Sequence, residues 1–555
     1  MSSLLSVRDL TIDFANGGGW QRVVHGVSFD LEPGEILGVV GESGSGKTVT
    51  CRSLIQLLPP RSARIAGEVR FGGHDLLALD EQALGEVRGE QISMIFQNPS
   101  SHLDPLMRVG EQIAEALIEH RAMSREQALR HAIELLDHVG IDDPRRNANA
   151  YPHQFSGGMR QRVMIAAALA CRPGLLIADE PTTALDVTVQ ARVLDLLRKL
   201  RDEENLSIIL VSHDLGVVAE LCDRVVVMYQ GRIVEIAPTR ELLGRPRQAY
   251  TRRLIQSQPE MAEPGKPFPG IDDGNEACVL DTPPPAASND GELLTISDVH
   301  VHFQQSSGLL NWLLRKPPRT NHAVAGVSLA VRRGDTLGIV GESGSGKSTL
   351  ARAIVGLIAA DSGRILFDGR DRATLNPVEQ LALRRQVQMI FQDPLLSLNP
   401  KQTVAATLSE ALRVHRVCTP GEIPERLATL INLVGLPLDL ADRRPHQLSG
   451  GQCQRVGIAR ALSVNPQIII ADEATSALDV TIQAQILNLL MRLREQMRLT
   501  LIFISHDLGV VRHLCETIAV MQRGSIVELG PVEQIFAGPR HPYTRQLIDA
   551  IPAMN

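Results

Sequence analysis

Short apolar runs alternate with longer amphipathic stretches along most of this chain. The run 35–40 leads into a glycine-rich stretch, 175–178 is followed by two acidic residues, and 207–211 is followed by Ser-His. Between them, segments such as 187–200 carry apolar residues at helical spacing. Buried strands that alternate with helices predict an α/β domain with a largely parallel sheet.

The same pattern is present twice. The string Gly-Glu-Ser-Gly-Ser-Gly-Lys stands at 41–47 and again at 341–347. The offset between matching residues falls from 300 at these loops to 293, and it is still 293 at Tyr250 and Tyr543. A constant offset over such a length indicates two homologous domains rather than a short solenoid repeat.

A proline-rich stretch separates the two copies. Residues 259–291 contain seven prolines and little periodic apolar pattern, which is typical of a linker. We therefore predict a first domain at 1–258, a linker at 259–291 and a second domain at 292–555. A folded subdomain within 259–291 is the alternative.

The second copy also contains an insertion at about 308–318. We interpret it as a surface loop or hairpin, and contact of its apolar face with lipid or a partner is the alternative.

Composition excludes several classes of protein. Of the 555 residues, 44% are hydrophobic and 21% charged, as in ordinary globular chains, while aromatic residues make up only 3%. The scarcity of aromatic rings argues against a carbohydrate groove or a stacking platform for single strands, and the net charge of −7 gives no basic surplus for nucleic acid. No run approaches 18 apolar residues, so we expect no membrane-spanning segment. The seven cysteines form no C-x-x-C pair, so we expect no metal cluster.

Both glycine-rich stretches fit the pattern G-x-x-x-x-G-K-[ST] between a strand and a helix. Such a loop wraps backbone N–H groups around a phosphate, and the helix N-terminus adds partial positive charge. Lys47 and Lys347 are placed to reach the β- and γ-phosphates, and the hydroxyls of Thr48 and Ser348 to ligate Mg²⁺.

Acidic residues follow one apolar run in each copy. Asp179 and Asp472 are predicted at the carboxyl edge of a sheet, where an aspartate suits Mg²⁺. The next residues, Glu180 and Glu473, suit a base that orients water.

Two further features recur in both copies. His213 and His506 each follow another buried run, and we interpret them as γ-phosphate contacts rather than structural hydrogen-bonding residues. Ser-Gly-Gly at 156–158 and 449–451 opens a predicted helix, which favours a second phosphate clamp over a simple turn.

The order of glycine loop, Gln, Ser-Gly-Gly, Asp-Glu, Leu-Asp and Ser-His resembles the ATPase domain of ABC transporters, twice over. The resemblance implies two tandem P-loop ATPase domains, each with a mainly parallel sheet core, an antiparallel β part and a helical subdomain. It implies ATP and Mg²⁺ as cofactors. It also implies that each ATP lies between the glycine loop of one domain and the Ser-Gly-Gly segment of the other.

The resemblance also assigns roles residue by residue. An aromatic residue stacks on adenine, a glutamine senses Mg²⁺ and the membrane subunits, and an aspartate belongs to a loop that communicates across the dimer. In the first copy the predicted nucleotide contacts are Phe14, Gly41, Ser43, Gly44, Gly46, Lys47, Thr48, Val49, Gln97, Ser156, Gly157, Gly158 and Asp186. In the second copy they are Phe303, Gly341, Ser343, Gly344, Gly346, Lys347, Ser348, Thr349, Gln392, Ser449, Gly450, Gly451, Gln452 and Asp479. The predicted Mg²⁺ ligands are Thr48, Gln97 and Asp179, and Ser348, Gln392 and Asp472.

Finer features point to one subfamily. Phe155-Ser-Gly-Gly-Met159 resembles the first, and Leu448-Ser-Gly-Gly-Gln452 the second, of the two ATPases of oligopeptide and dipeptide importers. The tails at 249–252 and especially 541–547 are also similar to the ending of that subfamily. Only Cys278 lies where some relatives carry a cysteine-rich tail, which agrees with the expected absence of a metal cluster.

We therefore predict an ATP-hydrolysing, energy-coupling subunit of a bacterial peptide-type ABC importer, peripheral at the cytoplasmic face of the inner membrane. Its expected partners are two integral-membrane permease subunits and a separate periplasmic or lipid-anchored substrate-binding protein, with no nucleic acid. A twin ATPase acting on ribosomes and a fused sugar-importer ATPase are the alternatives. The transported substrate is left open.

Overall fold

The computed structural model describes residues 3–97, 99–182, 186–269, 291–304, 320–476 and 478–551. They form two compact domains: the first contains the chain up to Ile255, and the second runs from Gln256 to Ile551. Each domain combines a four-stranded antiparallel sheet with a six-stranded, mainly parallel sheet. The predicted fold class of two α/β domains is confirmed.

The first domain alternates strands and helices as its sequence pattern predicts. Its described strands are β1 (Leu5–Asn16), β2 (Gly19–Leu31), β3 (Ile36–Val40), β4 (Ala63–Phe71), β5 (His74–Asp75), β6 (Ile92–Ile95), β7 (Leu175–Asp179), β8 (Ser207–Val211), β9 (Arg224–Tyr229) and β10 (Arg232–Pro238). Its described helices are α1 (Lys47–Leu54), α2 (Glu81–Val87), α3 (Pro99–His102), α4 (Val109–Arg121), α5 (Arg125–His138), α6 (Pro144–Asn147), α7 (Gly157–Leu169), α8 (Val187–Glu204), α9 (Leu215–Leu221), α10 (Thr239–Gly244) and α11 (Ala249–Gln256).

The second domain follows a closely similar order. Its described strands are β11 (Glu292–Gln304), β12 (Thr320–Arg332), β13 (Thr336–Val340), β14 (Ser362–Phe367), β15 (Arg370–Asp371), β16 (Val387–Ile390), β17 (Ile468–Asp472), β18 (Thr500–Ser505), β19 (Thr517–Gln522) and β20 (Ser525–Pro531). Its described helices are α12 (Lys347–Val355), α13 (Pro377–Gln386), α14 (Val404–Val414), α15 (Ile423–Leu433), α16 (Gly450–Leu462), α17 (Val480–Met497), α18 (Leu508–Leu514), α19 (Val532–Ala537) and α20 (Pro542–Asp549).

The six-stranded sheet of each domain determines where the chemistry lies. Its order is β10-β9-β3-β8-β7-β6 in the first domain and β16-β17-β18-β13-β19-β20 in the second, with β10 and β20 antiparallel to their neighbours. Because β3, β7 and β8 are parallel, their carboxyl ends lie at one edge. The glycine loop, the Asp-Glu pair and the Ser-His pair therefore follow strands that end at the same edge.

Both faces of this sheet are buried. In β3, Ile36 and Val40 belong to one apolar cluster, while Leu37 and Val39 belong to another. The strand therefore contributes alternate side chains to two cores, which explains why it reads as a continuous apolar run. Within the described part of the chain, no helix combines the length and apolarity needed to cross a bilayer.

The first residues of the predicted linker pack on the second domain. We call residues 257–269 the strap; within it, Phe268 is 2% exposed and belongs to the core of the second domain. The Phe268 N–H donates to Asn488 Oδ1 at 2.8 Å, and the Phe268 ring lies 4.3 Å from that of His513. The N–H of Gly265 donates to the carbonyl oxygen of His513 at 2.9 Å. The strap is thus fastened to α17 and α18.

The equivalent surface of the first domain has a different chemistry. Three positions at the constant offset are Asn488, Met491 and His513 in the second domain and Asp195, Arg198 and Glu220 in the first. In the first domain Arg198 forms ion pairs with both acids, at 2.9 and 2.8 Å. In the second domain burial lowers the pKa of His513, and Met491 lies in the same apolar cluster as Phe268. Replacement of three charged residues thus gives the second domain a surface that accepts the strap.

The rest of the predicted linker, from 270 to 290, lies outside the described residues, as do Cys278 and the insertion at 308–318. The predicted domain boundaries and the role of the insertion stay predictions.

Phe268→Ala is expected to reduce the free energy of unfolding of the second domain by about 3 kcal/mol, because it removes a buried ring. Native-state hydrogen exchange of peptides from α17 and α18 measures this. Met261→Ala is the matched control, because Met261 lies on the same strap but is 54% exposed. Equal protection in the two variants would show that the strap does not stabilise the domain.

Candidate functional site

Each glycine loop connects a central strand to a helix. Gly41 follows β3 with a φ of 150°, and a Cβ atom there would lie 2.1 Å from the carbonyl oxygen of Met228. In the second domain, a Cβ on Gly341 would lie 2.2 Å from the carbonyl oxygen of Met521. Only glycine fits these positions, because the loop passes directly against the neighbouring strand.

The lysine of each loop is buried and folded onto the loop itself. Lys47 is 5% exposed, and its Nζ donates to the carbonyl oxygens of Gly41 at 2.7 Å and Glu42 at 2.9 Å. Lys347 makes the equivalent bonds to Gly341 and Glu342 at 2.6 and 2.9 Å. An ammonium group and a helix N-terminus therefore meet at one loop, which is the chemistry of an anion site.

The other predicted loop contacts lie on the same elements. They are Ser43, Gly44, Gly46 and Val49, with Ser343, Gly344, Gly346 and Thr349, placed on the loops or in the first turn of α1 and α12. The hydroxyls of Ser45 and Ser345 are buried and have no hydrogen-bond partner among the described residues. A buried polar atom without a partner is costly, which marks it as a group for a bound ligand to satisfy.

A hydroxyl–carboxylate bond links each loop helix to a second strand. Thr48 Oγ1 donates to Asp179 Oδ1 at 2.8 Å, and Ser348 Oγ donates to Asp472 Oδ1 at 2.8 Å. Burial raises the pKa of both carboxyls, against the hydrogen bond from the hydroxyl. Asp179 Oδ2 is buried without a hydrogen-bond partner among the described residues, and Arg52 Nη2 lies 4.0 Å away.

The glutamate after each aspartate adopts an uncommon backbone conformation. Glu180 has a φ of 50° and Glu473 a φ of 47°, in the left-handed region that non-glycine residues seldom occupy. Gln97 Nε2 donates to Glu180 Oε2 at 2.8 Å, and Gln392 Nε2 to Glu473 Oε2 at 2.7 Å. Such strain persists only where surrounding structure holds it, and it concentrates at functional sites.

A histidine contacts the same glutamate oxygen in both domains. His213 Nδ1 lies 3.4 Å from Glu180 Oε2, and His506 Nδ1 lies 3.6 Å from Glu473 Oε2. Burial opposes the ionisation of Glu473, but the hydrogen bond and charge of His506 outweigh it and lower the pKa of this carboxyl. The pKa of His506 is raised in turn: burial alone would lower it, but Glu473 dominates. Each partner therefore favours the ionised form of the other in the second domain.

The Ser-Gly-Gly segments begin α7 and α16. Ser156 Oγ accepts from the Met159 N–H and Ser449 Oγ from the Gln452 N–H, both at 3.3 Å. Gln452 also returns a bond, because its Oε1 accepts from the Ser449 N–H at 2.9 Å. Met159 cannot return this bond, so the second helix start is the more rigidly capped.

The remaining predicted contacts lie on separate elements. Asp186 and Asp479 directly precede α8 and α17. Phe14 lies on β1, half-buried against the core of the first domain, and Phe303 lies on β11 with 44% of its surface exposed. Adenine stacking by these two rings stays a prediction.

Sequence reasoning missed one contact of each loop. The hydroxyls of Tyr250 on α11 and Tyr543 on α20 accept hydrogen bonds from the N–H groups of Glu42 and Glu342, at 3.1 and 3.0 Å. Two signals pointed to these tyrosines without predicting the contact: their recurrence at the constant offset of 293, and their place in the two tails that resemble the importer subfamily.

Two solved structures that match this chain each cover less than half of it. One is a dimeric structure of a post-hydrolysis state of the ATP-binding cassette MJ0796 bound to ADP and Pi, at 30% identity, with a TM-score of 0.39, over 42% of this chain and 98% of that one. Another is cbiO1 from Clostridium perfringens, at 29% identity, with a TM-score of 0.38, over 44% of this chain and 91% of that one.

Comparison of the sequence with protein families gives matches over both domains. The ABC transporter family model matches residues 24–183 and 324–476, and the model of the oligopeptide/dipeptide transporter C-terminal region matches 234–279 and 527–555. Glutathione import ATP-binding protein GsiA of Pectobacterium atrosepticum is 44% identical over 100% of this chain and 90% of its own length. The GsiA protein of Escherichia coli strain K12 is also 44% identical, over 99% of this chain and 90% of its own. The resemblance seen in the motifs is thereby confirmed, and the chain belongs to the ABC transporter family, as a protein with two ATP-binding domains.

Proposed function

We propose that this chain is the ATP-hydrolysing, energy-coupling subunit of an importer for short peptides of the glutathione class. One observation carries the proposal: each domain gathers a buried loop lysine, a hydroxyl–aspartate pair, and a glutamate held by a glutamine and a histidine. Both domains therefore have the groups that phosphoryl transfer to water requires. The similarity to glutathione import proteins along the whole chain supports the substrate class.

Phosphate binding falls to the glycine loops. Lys47 and Lys347 each donate to two neutral carbonyl oxygens of their own loop, and an anionic triphosphate is a stronger acceptor for an ammonium group than these carbonyls. The N-termini of α1 and α12 supply backbone N–H groups to the same phosphates. Ser45 and Ser345 offer buried hydroxyls at the same loops.

The residues present also fit a magnesium ion. Thr48 with Asp179 and Ser348 with Asp472 combine a hydroxyl and a buried carboxylate, oxygen ligands of the kind that Mg²⁺ prefers. Asp179 Oδ2, which has no hydrogen-bond partner among the described residues, supports this assignment. Gln97 and Gln392 donate to the adjacent glutamates. When bound there, Mg²⁺ neutralises charge on the β- and γ-phosphates.

Glu180 and Glu473 are the groups proposed to orient the attacking water. The lowered pKa of Glu473 keeps it a carboxylate, so it can accept a hydrogen bond from water in line with the γ-phosphorus. The water oxygen forms a bond to the γ-phosphorus while the bond between that phosphorus and the β–γ bridging oxygen breaks, which gives ADP and inorganic phosphate. His213 and His506, already against these carboxylates, are placed to donate to the γ-phosphate.

Two further assignments rest on the family resemblance alone. The Ser-Gly-Gly helix starts at 156–158 and 449–451 serve the ATP of the other domain, and Asp186 and Asp479 communicate between the two sites. The partners are two permease subunits in the inner membrane and a separate substrate-binding protein, with this chain on the cytoplasmic face. The family match to the oligopeptide/dipeptide transporter C-terminal region favours these partners over ribosomes.

Two measurements test the proposal: which proteins co-purify with the chain, and whether cells that lack it still take up glutathione. A chromosomally tagged chain is expected to sediment with membranes and to purify in mild detergent with two integral-membrane proteins. Deletion of the gene is expected to reduce uptake of labelled glutathione at least tenfold. When supplied to the deletion strain, the unaltered chain is expected to restore uptake fully, whereas the Lys47→Ala and Lys347→Ala variants are not. Lys199→Ala, at an exposed helix position, is the matched control and restores uptake.

Two outcomes of that experiment contradict the proposal. Salt-sensitive co-sedimentation with ribosomes, without membrane partners, favours the ribosomal alternative. Unchanged uptake of both glutathione and labelled trialanine in the deletion strain excludes the proposed substrate class.

The ion pair in the second domain predicts a pH dependence. Because the pKa of His506 is raised, the pair stabilises the folded second domain. The contribution of the imidazolium is complete below the ordinary imidazole pKa of about 6.5, and it declines as pH rises through the raised pKa of His506. At the acid end the stabilisation by the pair declines as pH falls through the lowered pKa of Glu473. An NMR titration of the histidines in the nucleotide-free chain is expected to give His506 a pKa above the ordinary value of about 6.5. The Glu473→Gln substitution is expected to lower that pKa. A titration of His506 that is identical in both chains would contradict the ion pair.

A further inference from the structure

One residue near the end of each domain contacts the glycine loop from outside the site. Tyr250 and Tyr543 are 208 and 201 residues from their partners in sequence, yet each hydroxyl accepts the N–H of the second loop residue. We propose that Tyr250 and Tyr543 are positioning residues, which hold the glycine loops in the shape that receives ATP. This inference rests on the proposed function, and it adds a role for the end of each domain.

The helices that carry these tyrosines are themselves anchored to the sheet. Glu235 on β10 accepts the N–H groups of Arg247 and Gln248, just before α11, at 2.9 and 3.2 Å. In the second domain Glu528 on β20 accepts the equivalent N–H groups of Arg540 and His541, at 2.9 and 3.1 Å. The position of each tyrosine is therefore set by a buried or half-buried carboxylate on the sheet edge.

The same hairpins touch the loops at a second point. The N–H of Gly231, between β9 and β10, donates to the carbonyl oxygen of Ser45 at 3.0 Å, and the N–H of Gly524 donates to that of Ser345 at 2.9 Å. Each β-hairpin therefore contacts its loop directly at Ser45 or Ser345, and the tyrosine contacts the same loop near its start, at Glu42 or Glu342. The last part of each domain thus binds its glycine loop at two points.

The tyrosine bond gains importance when ATP binds. Lys47 holds the carbonyl oxygen of Glu42, while Tyr250 holds the N–H of the same residue. If the lysine turns to the phosphates, as proposed above, it releases the carbonyl bond. The tyrosine bond then remains to fix that end of the loop.

The hydroxyl is suited to this position because it brings no charge. Burial raises the pKa of Tyr250 to about 12, so it stays a neutral phenol at physiological pH. A neutral acceptor orders the loop without repelling the phosphates. Tyr543 is 5% exposed, so water has little access to take the place of its hydroxyl. Both residues lie within the matches to the oligopeptide/dipeptide transporter C-terminal region, 234–279 and 527–555.

Tyr250→Phe and Tyr543→Phe, made separately in the full chain, test the inference because each removes only a hydroxyl. Each is expected to weaken the binding of mant-ATP at its own site about threefold to tenfold, the effect of one lost hydrogen bond. Each is also expected to speed amide exchange in its own loop, 41–47 or 341–347, and to leave the other loop unchanged.

Tyr229→Phe is the matched control. The Tyr229 ring lies 4.2 Å from that of Tyr250, but its hydroxyl accepts from Gln230 Nε2 rather than from the loop. Unchanged mant-ATP affinity and loop exchange in both test variants would overturn the inference, and so would a lower melting temperature with unaltered loop exchange. Failure of the unaltered chain to bind mant-ATP would instead contradict the proposed function.

Discussion

A hydrogen bond between a helix hydroxyl and a buried aspartate connects the two main parts of each site. Thr48 and Ser348 lie in the first turn of the helices that follow the glycine loops. Asp179 and Asp472 end strands that lie two positions from the strand before each loop in the sheet order. The parallel sheet makes this bond possible, because it brings the carboxyl ends of β3, β7 and β8 to one edge. The same edge then places a glutamate and a histidine within contact of each other.

The two domains repeat this arrangement but differ around it. The second has a reciprocal cap on its Ser-Gly-Gly helix, where the first has Met159. The second also accepts the strap, where the first carries an ion-pair network around Arg198. Both differences lie outside the acid, hydroxyl and lysine positions. The same acid, hydroxyl and lysine side chains are thus present in both domains, and the differences concern how each domain is supported.

Much of the fold and site was predictable because the signals are local. Central strands such as β3 are buried on both faces and read as apolar runs, and the glycine, lysine and acid positions follow directly after them. The tyrosine contacts were not predictable from such signals, because they join residues about 200 positions apart. The prolines of the strap are typical of a linker, and its packing depends on the buried surface of α17 and α18 that meets Phe268, which its local sequence does not reveal. The left-handed backbone of Glu180 likewise depends on the strands around it.

We propose that both domains hydrolyse ATP. Steady-state ATP hydrolysis by Glu180→Gln, Glu473→Gln and the double variant tests it most directly, with Glu495→Gln, at an exposed helix position, as the control. Loss of a group that acts in the transition state commonly costs about 10²–10³ in rate. We expect a clear loss of ATP hydrolysis in each single variant, a loss of at least a hundredfold in the double variant, and no change in the control. Full activity in either single variant would contradict it.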